Sequence, residues 1–194
     1  MIEDVGNMTA RARGVSEMRG MVQERPGVVA SLARDVRLVL VAVWLGAAVF
    51  FSFAVAPSAF AVLPSRELAG AIVGRTLSIV NTGGFVVSLL LLATVVIAKD
   101  LERRRRIVAE AVSLALIALA TAVGQWVIAA RLEALRARIG RPIEELAQND
   151  PLRVAFGSLH GYSVLALLIG MLAALAALLL IARRARATPD ASVV

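Results

Sequence analysis

The sequence predicts an all-α integral membrane protein, an antiparallel bundle of four helices with both termini in the cytoplasm. Three observations carry that prediction. Hydrophobic residues make up 59% of the 194 residues. Mean hydropathy is +0.81. Uncharged runs longer than the ~20 residues a helix needs to cross a bilayer recur along the chain, separated by short basic stretches. Basic residues lie between and beyond the apolar runs, so the net charge of +7 serves orientation and lipid head-group contact, and nucleic acid is not an expected partner. All of the basic residues but Lys99 are arginine, and cysteine is absent. The absence of cysteine removes disulfides, thiolate metal sites and cysteine nucleophiles.

Residues 1–35 mix arginines with Glu3, Asp4, Glu17 and Glu24. A transit peptide would be poor in acids, so this segment reads as a flexible cytosolic extension, with room for one amphipathic helix over 15–23. Met18 and Met21 are alternative starts. The membrane domain is expected over 36–184. The first run, 38–63, follows Arg37 and lacks the small-residue cleavage pattern of a signal peptide. Pro57 within it removes a backbone donor, so a kink or an end is expected there. Pro64 to Glu67 make a turn.

The second helix is expected over about 68–98. It carries Arg75 and Asn81, and Gly70 and Gly74 form a small-xxx-small step. A basic loop follows, and the third helix, about 107–137, begins with Glu110 four residues after Arg106, the spacing of a surface ion pair. Gln125 and Trp126 lie near its end, Trp126 as an interface anchor. Helical spacing of Leu132, Leu135 and Ile139 extends it toward Gly140-Arg141-Pro142, a stop signal. A short surface helix over 143–149 and a cap at Asp150 lead into the fourth helix, about 152–182, and a disordered tail over 185–194. On that fourth helix Arg153, Phe156, His160, Ser163 and Leu167, spaced 3, 4, 3 and 4, share one face. With four crossings, the side holding both termini has twice as many basic residues as the other, which puts it in the cytoplasm.

Depth along each helix brings the polar residues to one level. At 1.5 Å per residue, Arg75, Gln125, His160 and Pro57 all lie about 9–10 Å from the outer ends of their helices. The candidate ligand-binding residues are therefore Arg75, Gln125, His160, Ser163 and Arg153. Two readings stay open. In one, Arg75 snorkels to the interface and the short polar side chains hydrogen-bond between helices. In the other, they line a wet pocket that binds or passes a small solute. Gly70, Gly74, Gly157, Gly161 and Pro57 read as packing positions within the bundle, with a second copy of the chain as the other partner of the glycine faces. Trp44, deeper in the first helix, reads as internal packing.

One histidine, no cysteine and a single membrane methionine, Met171, supply no ordinary metal cage, and no serine, histidine and acid share a face. No cofactor, no metal and no catalysis are expected.

Two stretches, Trp44–Gly74 and Arg153–Ser163, resemble the transmembrane protein 205-like family of small four-helix membrane proteins and its bacterial relatives. Trp44, Gly46, Phe50, Ala56, Pro57, Phe60, Leu63, Gly70 and Gly74 carry the resemblance, with Arg153, Phe156, Leu159, His160 and Ser163. The family shows a polar residue one turn after its serine, where Ala166 and Leu167 stand here. The resemblance implies a multi-pass protein of the plasma membrane, for a bacterial chain the inner membrane. A more distant similarity, to the membrane domain of copper resistance protein D, implies metal handling.

Overall fold

The computed structural model describes residues 25–97 and 104–186. The expected 15–23 helix, residues 98–103 of the basic loop and residues 187–194 of the expected 185–194 tail lie outside the described residues, while 185 and 186 continue the last helix. Helix α1 is Arg25–Phe50, followed by a π-helical turn, Phe51–Val55, and α2, Ala56–Val62. Helix α3 is Arg66–Ile97. Helix α4 is Arg104–Ala122, a second π-helical segment covers Val123–Ala129, and α5 is Ala130–Ile139. A 3₁₀ turn, Ile143–Glu145, precedes α6, Pro151–Arg186. Four stretches are long and apolar enough to cross a membrane: Leu32–Val62, Arg66–Val95, Ile107–Ile139 and Pro151–Arg183. The protein is a multi-pass membrane four-helix bundle, and these are its first to fourth spans.

The chain divides into two units, 1–37 and 38–194. Of the first, the described part is helical from Arg25, thirteen residues ahead of the apolar run that begins at Leu38, with Pro26 in the opening turn where its missing N–H costs nothing. Arg34 and Asp35 form an exposed ion pair at 3.3 Å.

Pro57 does not end the first span. The π turn precedes it directly, and the Ala56 N–H reaches back five residues to the Phe51 carbonyl. The wider turn accommodates the ring and the lost donor, and the helix resumes. The other breaks follow the chemistry of the residues. Ser65 Oγ accepts the Leu68 N–H at 3.1 Å, a side-chain cap on α3. Gly140 adopts φ 64° and closes α5 with its N–H on the Arg136 carbonyl. Asp150 caps α6 by accepting the Leu152 N–H at 2.8 Å. The surface helix expected over 143–149 is only the 3₁₀ turn, because Pro142 opens a segment whose backbone is extended again by Leu146.

The core is one apolar cluster drawn from all four spans: Val41, Trp44, Ala48 and Phe51 from the first, Val80, Leu91 and Val95 from the second, Leu114 and Ile117 from the third, and Ala173, Ala174, Ala177 and Ile181 from the fourth. The small alanines let the fourth span approach the third closely, and these two share the most extensive contact. The first span touches the others less. Trp44 bridges the distance.

Candidate functional site

Trp44 is the side chain about which the bundle's middle is arranged. Its indole N–H donates to the Val80 carbonyl at 2.9 Å. That approach exists because Gly84, one turn along, has no side chain. A Cβ there would lie 2.4–2.8 Å from three atoms of the indole. Gly170 of the fourth span gives similar clearance at the far edge of the ring, 3.3 Å from a Cβ built there. The expected internal packing of Trp44 is what the structure shows.

On either side of Val80, at Ser78 and Asn81, the second and third spans meet through polar groups. Gln125 donates its Nε2 to Ser78 Oγ at 2.8 Å. Gln125 Oε1 is buried and accepts no hydrogen bond among the described residues. Asn81 is only 4% exposed, and its carboxamide makes no hydrogen bond among the described residues. It lies against Gly124, where an added Cβ would be 3.0 Å from Asn81 Nδ2. Gly124 and Gln125 both belong to the π-helical segment. Such segments leave a helix carbonyl outside the regular ladder and recur at functional positions. Ser78, Asn81 and Gln125 thus form a short seam of neutral polar groups whose hydrogen-bonding capacity is only partly used.

The other sequence-predicted residues are not drawn into this seam as a group. Ser163 is buried on the fourth span. His160, about 60° round the helix from Ser163, is exposed and forms no hydrogen bond among the described residues. Arg75 is also exposed. It stands nine residues before Gly84, two and a half turns, which places it on the opposite side of the second span from the buried stripe. Of the two readings, the outward positions of Arg75 and His160 fit the one in which Arg75 reaches to the interface, not the one in which both line an interior pocket. Arg153 is half-buried and tied to the loop, donating Nη1 to the Leu146 carbonyl at 2.7 Å.

The two glycine steps also differ from the packing expected of them. Gly70 and Gly74 meet the Arg136 guanidinium, 3.5 and 3.9 Å from their Cβ positions. Gly157 and Gly161 are exposed, with nothing within 4 Å of theirs. Glu110, expected on the surface, is fully buried at 0% exposure, since it falls on the same side of the third span as Leu114 and Ile117. Trp126 is half-exposed and packs edge-on against Phe85, ring centroids 4.8 Å apart. Among the described residues no three His, Asp or Glu side chains gather as a metal site.

Asn81 and Arg136 are the residues that sequence reasoning left out of its candidate set. Asn81 carried a signal, as an amide inside an apolar run. Arg136 carried none, since nothing in its neighbourhood distinguishes it from Arg131 or Arg138.

A family model described as a domain of unknown function (DUF4149) matches residues 39–141, just over half of the chain, covering the first three spans. No curated protein and no solved structure matches the chain.

Proposed function

This chain belongs to the DUF4149 family, whose function is undefined, and we propose that it is a non-enzymatic protein of the plasma membrane that binds or passes a small uncharged polar solute at the Ser78–Asn81–Gln125 seam. The observation that carries the proposal is the unused capacity of that seam: a buried Gln125 Oε1 without a donor, beside an Asn81 that is 4% exposed and whose carboxamide makes no hydrogen bond among the described residues. Inside a bilayer there is no bulk water to satisfy such groups, and each unmet one costs several kcal/mol. A guest removes that cost. The seam offers it acceptors (Gln125 Oε1, Asn81 Oδ1) and donors (Asn81 Nδ2, the Ser78 hydroxyl) with no formal charge. The fitting class is therefore a compact neutral molecule with both donor and acceptor groups, water or a urea-like amide, rather than an ion. The distant similarity to copper resistance protein D acquires no ligand set among the described residues.

Contacts along the spans support the antiparallel arrangement. Gly70 and Gly74 sit by Arg136, and Ser78 by Gln125, so residue numbers rise on the second span as they fall on the third. Arg136 over Phe156 and Ala120 near Gly170 extend the same relation to the fourth. With the charge asymmetry of the loops, this favours both termini in the cytoplasm. The resemblance to the transmembrane protein 205-like family fits the same placement.

The test is permeation. Liposomes carrying the full chain should take up urea faster than empty liposomes, and Asn81→Leu or Gln125→Leu should return the rate to that of empty ones with the folded protein retained. Equal rates for wild type and both variants would refute the proposal. A second reading, a structural protein that joins copies of itself, is favoured by the outward Gly157 and Gly161. Cross-linking through Gly157→Cys would report it.

A further inference from the structure

We infer that the end of the bundle carrying the 63–65 and 140–150 connections holds a phosphate-type anion on Arg136, with Arg66 and Arg153 as its flanking cations. Three features of Arg136 support this. Its guanidinium lies across the Gly70–Gly74 step, close to the backbone of the second span. It also stacks over the Phe156 ring of the fourth span, 5.3 Å from the centroid. The planar group is thus held between two helices, and its entropy is largely lost before any ligand arrives. Yet among the described residues it makes no hydrogen bond and no ion pair. An oriented guanidinium with its N–H donors open is the arrangement that receives phosphate oxygens in pairs.

Two more arginines lie at the same end of their helices. Arg66 is one turn before Gly70 and so on the face that carries the glycine step. Arg153 is one turn before Phe156 on the fourth span, and its bond to the Leu146 carbonyl holds it at this end. The nearest carboxylates in sequence, Glu67, Glu133 and Asp150, pair with none of the three: the first two are exposed and Asp150 accepts the Leu152 N–H. Three helices therefore bring cations to one membrane end, and none of the three is ion-paired among the described residues. Arg75, on the far side of the second span, is not part of the group.

The ligand chemistry is a phosphate, supplied either by an anionic lipid head group or by a free phosphate ion. The experiment measures the thermal unfolding of the full purified chain with phosphatidylglycerol, with phosphatidylcholine, and with inorganic phosphate in detergent. Wild type should be stabilised by phosphatidylglycerol or by inorganic phosphate over phosphatidylcholine, less so as salt rises. Stabilisation by the lipid alone identifies a head group; stabilisation by inorganic phosphate identifies a free anion. Arg136→Gln should weaken the apparent affinity about tenfold. Phe156→Leu and Gly70→Leu, which leave every charge in place and disturb only the seat of the guanidinium, should weaken it by a smaller factor. The inference is overturned if neither phosphate source stabilises wild type, or if Arg136→Gln and Gly70→Leu both respond as wild type does.

Discussion

Two glycines, Gly84 and Gly124, do the same thing on facing helices with opposite results. Each clears space for a large side chain from a neighbouring span. At Gly84 the guest is the Trp44 indole, whose single donor is spent on the Val80 carbonyl and whose ring fills the gap to the fourth span. Nothing there is left to bind. At Gly124 the guest is the Asn81 carboxamide, and its donors and acceptor find no partner. Val80 and Asn81 are adjacent, so one turn of the second span carries both a finished contact and an unfinished one. The contrast separates what holds the bundle together from what it has to offer a ligand.

The largest effect should come from filling the finished contact. Gly84→Ala puts a methyl 2.4–2.8 Å from the indole. Overpacking of that kind costs about 1–3 kcal/mol, visible as an earlier thermal unfolding in detergent. A wild-type melting curve would break the comparison, since it would mean the indole moves freely. Trp44→Phe keeps an aromatic ring but leaves the Val80 carbonyl without its second donor, with an expected loss of about 1–2 kcal/mol in the same measurement.

At the unfinished contact the sign should reverse. Asn81→Leu replaces an unpartnered amide by an apolar group of similar size, so stability should stay within about 1 kcal/mol of wild type or rise, while urea permeation is lost. A large destabilisation would show that the carboxamide is structural after all, and would erase the distinction between the two glycines. The smallest effect belongs to His160→Ala, within about 0.5 kcal/mol in unfolding, because the imidazole is exposed and bonded to nothing among the described residues.

The glycine steps repeat the lesson from another direction. Gly70-x-x-x-Gly74 and Gly157-x-x-x-Gly161 are the same pattern in sequence, yet the first receives an arginine head and the second faces away from the bundle. Spacing says that two residues share a helix face. It does not say which way the face turns.

The chain's composition and the order of its apolar runs determined the membrane class, the number of spans and most of their boundaries, because hydrocarbon admits few backbone solutions and penalises charge along the whole length of a run. Local chemistry also determined the stops at Gly140 and the cap at Asp150, which depend on neighbours in sequence. The rotation of each span about its own axis was decided by tertiary packing: Ala173, Ala174 and Ala177 inward against the third span, Trp44 seated on Gly84 and Gly170. That rotation carried Arg75 and His160 outward, drew Asn81 and Glu110 inward and laid Arg136 over Phe156. Such choices depend on which side chains interlock across helices remote in sequence, and a one-dimensional pattern holds no record of that fit.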